Sequence, residues 1–399
     1  MRELLFGKAE GKARRRLQFV LLALVLGLAA AAAGCGGDDE GSTGAAGTGT
    51  GGGGGGSIWV LLPDSATSPR WESDDRRFFD EAFADVDHNI VNAEGDAAQQ
   101  QSQAEQAIAD GASVILLVSN DTGSGATIID IAKDAGVQVV EYDRFNTGSS
   151  GGAAYVSFDN VKVGATMAEV LEPEIEALGK NPARIVELNG GEEDNNAFLF
   201  KDGYDAVVQQ HVDDGSWELA ADQFVPGWGA NGEGQGIMEQ ILTKENNKVD
   251  AVFAANDNLA TQAINALEGA GVGPVPLSGQ DATAAGIQQI LLGKQTMTVY
   301  KPIEAEAKVA AAVALALQKG EDLSGVTSEF DFKLIGIKAE DGKPTESPDG
   351  EGVVPYFALT PIGVTVDNIA DTVIADGFRT IEEICTGDTA DTDFCKENS

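Results

Sequence analysis

The feature that most limits the fold of this chain is a regular alternation of short apolar runs with amphipathic helical segments, which begins after Ser57. The apolar runs are continuous and rich in β-branched residues, as in residues 113–118 and 137–142. Such runs indicate strands buried on both faces, which occur in parallel sheets covered by helices. The alternation starts again at residue 154, so it predicts an α/β protein with two doubly wound lobes.

The predicted elements cover most of the chain beyond residue 57. The strands are residues 58–62, 113–118, 137–142, 154–158, 184–188, 219–225, 251–255, 275–277 and 296–300. The helices are residues 71–86, 97–110, 127–135, 161–178, 196–211, 233–243, 258–269, 282–292 and 303–319. Residues 330–357 break the pattern with Gly, Pro and acidic residues and indicate a surface hairpin or loop. Residues 368–377 indicate a last helix that ends at a glycine.

Hydrogen-bonding side chains follow nearly every predicted strand, and two of these positions carry tryptophan. Ligands of open α/β sheets bind outside the carboxyl ends of the strands. The residues there are Arg70, Trp71, Asp143, Arg144, Asp194, Asn195, Asn196, Trp228, Asn256, Asp257, Gln280, Asp281 and Lys301. Mixed donors and acceptors with flat indole faces suit a neutral, polyhydroxylated ligand such as a sugar. Asn or Asp before a helix is also the ordinary N-cap choice, so the prediction depends on the coincidence of all these positions.

The composition argues against several other classes of protein. Acidic residues outnumber basic ones by 64 to 26, and the formal charge of −38 makes nucleic acid and anionic lipid poor partners. Two histidines argue against a His-rich metal site or a histidine relay, and three cysteines exclude a four-cysteine zinc site. We therefore expect neither a metal nor a cofactor.

The N-terminal segment is interpreted as an export signal followed by a flexible tether. Residues 1–34 have the basic, apolar and small-residue regions of a lipoprotein signal peptide, and Cys35 is the expected lipidation site. An uncleaved membrane anchor is the alternative, and both interpretations place the body outside the cytoplasm. Residues 35–57 are rich in glycine and indicate a flexible tether.

The other two cysteines, Cys385 and Cys395, lie close together near the C-terminus. In an oxidising compartment this spacing favours a local disulfide. A redox-active pair is the weaker alternative, because the spacing is not Cys-x-x-Cys.

Seven short motifs follow one another in the body of the chain. They are EYDR (141–144), VSFDN (156–160), EEDNNA (192–197), PGW (226–228), AAND (254–257), SGQDA (278–282) and QTMTVYKP (295–302). From about residue 58 to about residue 378 the chain closely resembles the ribose-type sugar-binding family of bacterial ABC transporters, and within it the D-xylose-binding proteins. The 330–357 segment and the cysteine-bearing tail are longer than the pattern of that family.

The resemblance implies the type I periplasmic-binding-protein fold, with two Rossmann-like lobes joined by a three-strand hinge. One lobe would comprise residues 58–160 plus about 302–328, and the other residues 161–301 plus about 329–399. The resemblance also implies a set of ligand-binding residues. They are Arg70, Trp71, Asp143, Arg144, Asn196, Trp228, Asn256, Asp281 and Lys301.

The function implied by the resemblance is that of a binding protein and not of an enzyme. A monosaccharide, with D-xylose favoured, would be enclosed between the lobes by hinge closure and delivered to an ABC permease in the membrane. We expect a monomer whose only contact with the membrane is the lipid anchor.

Two rival interpretations remain at this point. Residues 227–232 match the G-x-G-x-x-G pattern of dinucleotide-binding proteins, but Asp250 stands at the start of a strand and not at its end. Carboxylate pairs for a sugar-processing enzyme cannot be judged by counting in so acidic a chain. A sugar-sensing protein that reports to a chemoreceptor or sensor kinase would use the same cleft as a transport protein.

Overall fold

The computed structural model describes residues 55–398. The predicted signal peptide, Cys35 and all but the last residues of the predicted tether lie outside this range. No helix within the described range is both long and apolar enough to cross a bilayer.

Thirteen strands and eleven α-helices make up the described part of the chain. The strands are β1 (Ile58–Leu62), β2 (His88–Asn92), β3 (Val114–Leu117), β4 (Gln138–Tyr142), β5 (Ala154–Phe158), β6 (Ala183–Asn189), β7 (Trp217–Phe224), β8 (Ala251–Ala254), β9 (Thr298–Tyr300), β10 (Lys333–Lys338), β11 (Pro344–Thr345), β12 (Val353–Leu359) and β13 (Ile362–Val364). The helices are α1 (Arg76–Ala82), α2 (Ala97–Ala109), α3 (Thr122–Asp134), α4 (Asn160–Ala177), α5 (Asn195–Asp214), α6 (Glu233–Lys244), α7 (Asp257–Gly269), α8 (Ala284–Leu291), α9 (Ile303–Lys319), α10 (Ile381–Ile384) and α11 (Asp393–Asn398).

The strands form two separate α/β sheets and one short ribbon. The larger sheet has the order β11-β10-β12-β5-β4-β3-β1-β2, and it is parallel from β12 to β2. The smaller sheet is parallel and has the order β7-β6-β8, while β9 and β13 pair as an antiparallel ribbon. The prediction of an α/β protein with two doubly wound lobes is confirmed.

Side-chain alternation along β1 shows why its apolar run is continuous. Val60 and Leu62 belong to a core that α9 covers, whereas Trp59 and Leu61 belong to a second core on the opposite face, under α2 and α3. All four side chains are buried. A strand with helices on both faces needs an apolar residue at every position.

The chain passes between the two lobes three times. The first passage follows β5, the second joins β9 to α9 and the third joins β12 to β13. These are the three connections expected of the hinge.

The structure corrects the second-lobe boundary near residue 329. Strand β12 pairs with β5 in parallel, with Tyr356 opposite Tyr155, and β10 pairs antiparallel with β12. Residues 333–359 therefore belong to the sheet of the first lobe. The chain returns to the second lobe only with β13, which pairs with β9.

Two smaller differences concern strands. The sequence pattern missed β2, an edge strand in which only Ile90 and Val91 are apolar. The predicted strand at residues 275–277 is reduced to an isolated bridge between Leu277 and Val252.

In the C-terminal tail, Cys385 and Cys395 form a disulfide with their Cα atoms 5.5 Å apart.

Candidate functional site

A cavity lies between the two lobes, at the carboxyl ends of their strands. All nine residues of the predicted ligand shell line it. The full lining consists of Thr67, Ser68, Arg70, Trp71, Asp143, Arg144, Asp194, Asn196, Phe200, Trp228, Asn256, Gln280, Asp281 and Lys301. Residues separated by more than 200 positions in sequence are thus brought to one cavity by the strand ends.

Arg70 is anchored almost completely by buried carboxylates. Its Nε and Nη2 atoms each lie 2.9 Å from an oxygen of Asp75, Nη2 lies 2.8 Å from Glu306, and Nη1 lies 2.8 Å from Asp143. These contacts occupy four of the five guanidinium N–H groups, so only one, on Nη1, remains for a ligand. The position and direction of that donor are consequently fixed before a ligand arrives.

Asp143 joins two cations of the cleft. One of its carboxylate oxygens accepts from Arg70 and, at 3.0 Å, from the ammonium group of Lys301. Burial opposes ionisation of this carboxyl group, but the charges of Lys301 and Arg70 prevail and hold the pKa of Asp143 well below its usual range. Asp143 is therefore an anion throughout the physiological range.

The backbone at Asp143 adopts a left-handed conformation, with φ +59°. Its carbonyl oxygen accepts hydrogen bonds from Tyr155 Oη at 2.7 Å, from Ser157 Oγ at 3.0 Å and from Asn196 Nδ2 at 3.0 Å. Asn196 belongs to the second lobe and the other three residues to the first. These bonds stabilise a conformation that a non-glycine residue rarely adopts, and they aim the side chain into the cleft.

Two more cleft residues have positive φ angles, Trp228 at +54° and Asp281 at +100°. The indole of Trp228 lies directly against Gly190, where an added Cβ would come within 2.5 Å of the ring. Only glycine at that position lets the tryptophan occupy its place. Strained backbone at three of the nine predicted positions is typical of a site in which side-chain direction matters more than local stability.

Trp71 and Trp228 supply the two flat faces of the site. The guanidinium carbons of Arg70 and Arg144 lie 4.2 Å and 5.5 Å from the ring centre of Trp71. Trp228 packs edge-on against Phe200, with ring centres 5.8 Å apart. Both indoles are almost fully buried, so they shape the cavity and exclude water from it.

The remaining polar residues belong to the second lobe or to the hinge. Asn256 caps α7 by accepting from the backbone nitrogen of Leu259 at 2.8 Å, and its Nδ2 makes no hydrogen bond within the described residues. The N-cap role expected for Asn256 is therefore confirmed, and it leaves the amide nitrogen available for a ligand.

Burial raises the pKa of the Asp281 carboxyl group, and the nearby charge of Lys301 opposes this effect.

The charges that line the cavity balance. Arg70, Arg144 and Lys301 are opposed by Asp143, Asp194 and Asp281. A lining with equal numbers of cations and anions does not favour a charged ligand of either sign. It offers strong, charge-assisted hydrogen bonds to a neutral ligand with many hydroxyl groups.

Sequence reasoning indicated two further members of the site and missed three. Asp194 and Gln280 stand beside predicted positions and were indicated by the same strand-end rule. Thr67 and Ser68 lie in the loop after β1, where nothing in the sequence marked them. Phe200 lies one helical turn after Asn196 on α5, and no sequence motif marked it.

Similarity to known proteins agrees with this geometry. The profile of the family described as a periplasmic binding protein domain matches residues 59–322. The chain is 36% identical over 323 residues to the D-xylose-binding periplasmic protein of Escherichia coli strain K12, which covers 80% of this chain and 90% of that protein. It is 28% identical over 341 residues to the multiple sugar-binding periplasmic protein SbpA of Azospirillum brasilense, over 81% of this chain and 90% of that protein.

A solved structure shows that the fold is shared. An ABC transporter solute-binding protein from Clostridium phytofermentans, with bound β-D-glucose, matches this chain with a TM-score of 0.71 at 24% identity. The match covers 82% of this chain and 99% of that one. The expectation of a type I periplasmic-binding-protein fold is confirmed by this match together with the family profile.

Proposed function

Since this chain belongs to the family of periplasmic binding proteins, we propose that it is the extracytoplasmic sugar-binding component of an ABC transporter, with D-xylose as its favoured ligand. The sugar is held between the lobes and delivered to a membrane permease. Proteins of this kind bind and release their ligands without making or breaking covalent bonds, so the chain is not an enzyme.

The observation that carries this proposal is the composition of the cleft. A buried cavity with balanced charges, amide groups and two indole faces is matched to a neutral sugar in hydrogen-bonding capacity and in shape. The nine residues of the predicted shell are the proposed ligand contacts. A nicotinamide dinucleotide is a poor match, because its pyrophosphate would meet Asp143, Asp194 and Asp281.

The proposed mechanism is hinge closure. Residues of both lobes line the cavity, so a sugar that touches all of them binds the closed form better than the open form. Direct contacts between the lobes support the closed form as well. Thr122, on the first lobe, donates from its backbone nitrogen at 3.0 Å and from its hydroxyl at 2.9 Å to the carbonyl oxygen of Glu193 on the second.

D-xylose is favoured because the relative with 36% identity is named for it. The multiple sugar-binding relative and the glucose-bound structure define the competing ligands. Discrimination among aldoses depends on whether each buried polar group keeps a partner, since an unpaired buried donor or acceptor weakens binding strongly.

The proposal also covers the N-terminal residues and the organisation of the chain. Residues 1–34 are proposed to be a lipoprotein signal peptide, Cys35 the lipidated residue and residues 35–57 the tether that holds a monomeric body at the outer face of the membrane. The first lobe is proposed to comprise residues 58–160 with residues 302–359, which follows the sheet pairing, and the second lobe the rest of the body.

A thermal unfolding experiment on the purified protein tests the proposal. The panel is D-xylose, D-ribose, L-arabinose, D-glucose and NADH. A ligand at about a hundred times its dissociation constant stabilises the fold by about 2.7 kcal/mol, which raises the melting temperature by several degrees. A rise with xylose alone supports both class and ligand, and a rise with another sugar only would reassign the ligand. A rise with NADH alone, or turnover of any sugar, would contradict the proposed function.

A further inference from the structure

A cluster of buried charges joins three residues of the cleft wall to two carboxyl groups, those of Asp75 and Glu306, that do not line the cavity. It contains the cations Arg70 and Lys301 and the carboxyl groups of Asp75, Asp143 and Glu306. Asp75 and Glu306 have fully buried side chains, and the other three have side chains at most 5% exposed. If every carboxyl group were ionised, three anions would face two cations, and the cluster would carry an uncompensated negative charge in a region without solvent.

An uncompensated buried charge is costly, and the group concerned takes up a proton instead. The geometry indicates which carboxyl group does so. Asp143 lies between both cations, which hold its pKa low. Asp75 accepts two hydrogen bonds from Arg70 and a third, at 2.6 Å, from the hydroxyl of Tyr142, so both of its oxygens are satisfied.

Glu306 is the least well satisfied of the three carboxyl groups. Its Oε2 accepts from Arg70 at 2.8 Å, while its Oε1 is buried and has no hydrogen-bond partner among the described residues. An unpartnered oxygen costs less on a neutral carboxyl group than on a carboxylate. Burial, with the nearby Asp143 carboxylate, raises the pKa of Glu306 to about 8.

Three phenol groups near Glu306 do not change charge in the same range. These groups are the phenols of Tyr142, Tyr155 and Tyr356, which come from three strands of the large sheet. Burial raises the pKa of each well above its ordinary value, so all three stay neutral. The charged neighbours are Arg70, Asp75, Asp143 and Lys301. Burial also raises the pKa of the Asp75 carboxyl group, although the charge of Arg70 and the hydrogen bonds from Arg70 and Tyr142 oppose the rise.

We propose that Glu306 is a positioning residue for Arg70 that is protonated at neutral pH, and that sugar binding is linked to this proton. The inference rests on the proposed function and adds a residue that does not itself line the cavity. Glu306 directs the guanidinium of Arg70 so that a single N–H faces the ligand. A sugar in the cleft covers Arg70, Asp143 and Lys301, the members of the cluster that line the cavity, and this further burial favours the neutral Glu306.

The consequence is a pH-dependent affinity with a definite sign. Binding raises the pKa of Glu306, so the protonated protein binds sugar more tightly than the ionised one. A rise of one pKa unit on binding corresponds to about a tenfold weaker Kd at the alkaline limit than at the neutral limit. The change occurs above about pH 8, where the unliganded Glu306 ionises.

Isothermal titration calorimetry tests this inference with the full protein and the sugar that stabilises it in the thermal panel. Titrations between about pH 6 and about pH 9.5, in buffers of different ionisation enthalpy, give both Kd and the number of protons taken up. We expect proton uptake near pH 8 and a weaker Kd above it. In E306Q, which keeps the carbonyl acceptor but cannot ionise, we expect no uptake and the same Kd at both ends of the range. The matched control is E304Q, at a half-buried glutamate two residues away that pairs with Lys308, and it should behave as the wild type does.

Absence of proton uptake in the wild type, or a wild-type pH profile in E306Q, would overturn the inference. The wild-type measurement decides the matter even if E306Q does not fold. A readout without sugar separates this inference from the proposed function. The free energy of unfolding of E306Q, relative to that of the wild type, should rise with pH between about pH 5 and about pH 8 and then level off. In this range only the wild type loses stability, because Glu306 ionises in the unfolded chain while it stays protonated in the folded protein. A constant difference would count against a protonated Glu306 whether or not any sugar binds.

Discussion

Arg144 and Asp194 form an ion pair between the lobes, with Arg144 Nε 3.1 Å from Asp194 Oδ2. Arg144 follows β4 in the large sheet, and Asp194 caps α5 beside the small sheet. The same carboxylate oxygen accepts a hydrogen bond from the indole nitrogen of Trp228 at 3.2 Å. The carboxylate of Asp194 thus links Arg144 of the first lobe to Trp228 of the second lobe.

The substitution D194N tests this link. Asparagine caps a helix as well as aspartate does, so α5 should remain intact while Arg144 loses its charged partner. We expect the Kd for sugar to rise about tenfold or more, because the loss of a charge-assisted contact between the lobes destabilises the closed form. Titration calorimetry gives the Kd. D96N, at the exposed cap of α2, is the matched control and should leave Kd within about twofold. An equal effect in both variants would show that the ion pair is irrelevant to closure.

The substitution W228F tests the second aromatic wall. Phenylalanine retains an apolar face but loses ring area and the N–H bond to Asp194, and we expect about tenfold weaker binding of the sugar. W217F is the control, since Trp217 is buried in the second lobe against His211 and does not line the cavity. Both variants should lose some stability in urea unfolding, but only W228F should lose affinity. Normal sugar binding by W228F would remove Trp228 from the proposed ligand contacts.

A buried glutamate of the large sheet should make the stability of the fold depend on pH. Burial raises the pKa of Glu141, in β4, to about 7, while hydrogen bonds from Asn146 and Gly152 oppose the rise. A carboxyl group whose pKa is higher in the folded state than in the unfolded state stabilises the fold at low pH, and this stability is lost as pH rises from about 4.5 to about 7.

The difference between E141Q and the wild type isolates this effect. The free energy of unfolding of E141Q, relative to that of the wild type, should increase by about 2–3 kcal/mol as pH rises from about 5 to about 8. Urea unfolding at a series of pH values measures it. E105Q, at an exposed position on α2, should show no such change. A parallel pair of curves for E141Q and wild type would mean that Glu141 is ionised throughout.

The C-terminal disulfide should contribute to stability without affecting the ligand. It closes a loop between Cys385 and Cys395, a separation of 10 residues, for which the chain-entropy model gives about 3 kcal/mol. The double substitution C385S/C395S should lower the free energy of unfolding by about this amount or less and leave Kd for sugar unchanged. Neither cysteine lines the cleft. A change in Kd would show that the tail influences closure.

Local patterns in the sequence predicted most of the elements but not all of their partners. The continuous apolar run of β1 identified it as a doubly covered strand, and the structure places the same five residues in that strand. The pairing of Tyr356 with Tyr155 was not predictable in this way, because a parallel contact between strands about two hundred positions apart leaves no periodicity in either of them. Edge strand β2 was missed because solvent exposure removes the need for apolar residues along it.

The residues of the candidate site were likewise only partly predictable from the sequence. Its nine predicted residues were found because strand ends of an α/β sheet converge, and the family motifs named the same positions. Asp75 and Glu306 were not found, since they approach Arg70 from helical segments behind the cleft wall and belong to no motif. The charge balance of such a cluster can be assessed only in the folded structure, because folding brings its members together from distant parts of the sequence.

The discontinuous first lobe has a consequence for the order in which the chain can fold. The small sheet is complete once Ala254 has left the ribosome, since β6, β7 and β8 follow one another along the chain. The large sheet begins to form earlier, but it must wait for Leu359, because β12 lies between β5 and β10. The half of the protein that is synthesised later therefore completes its sheet first, and a chain cut short before β12 would expose the edge of β5 to pairing with other chains.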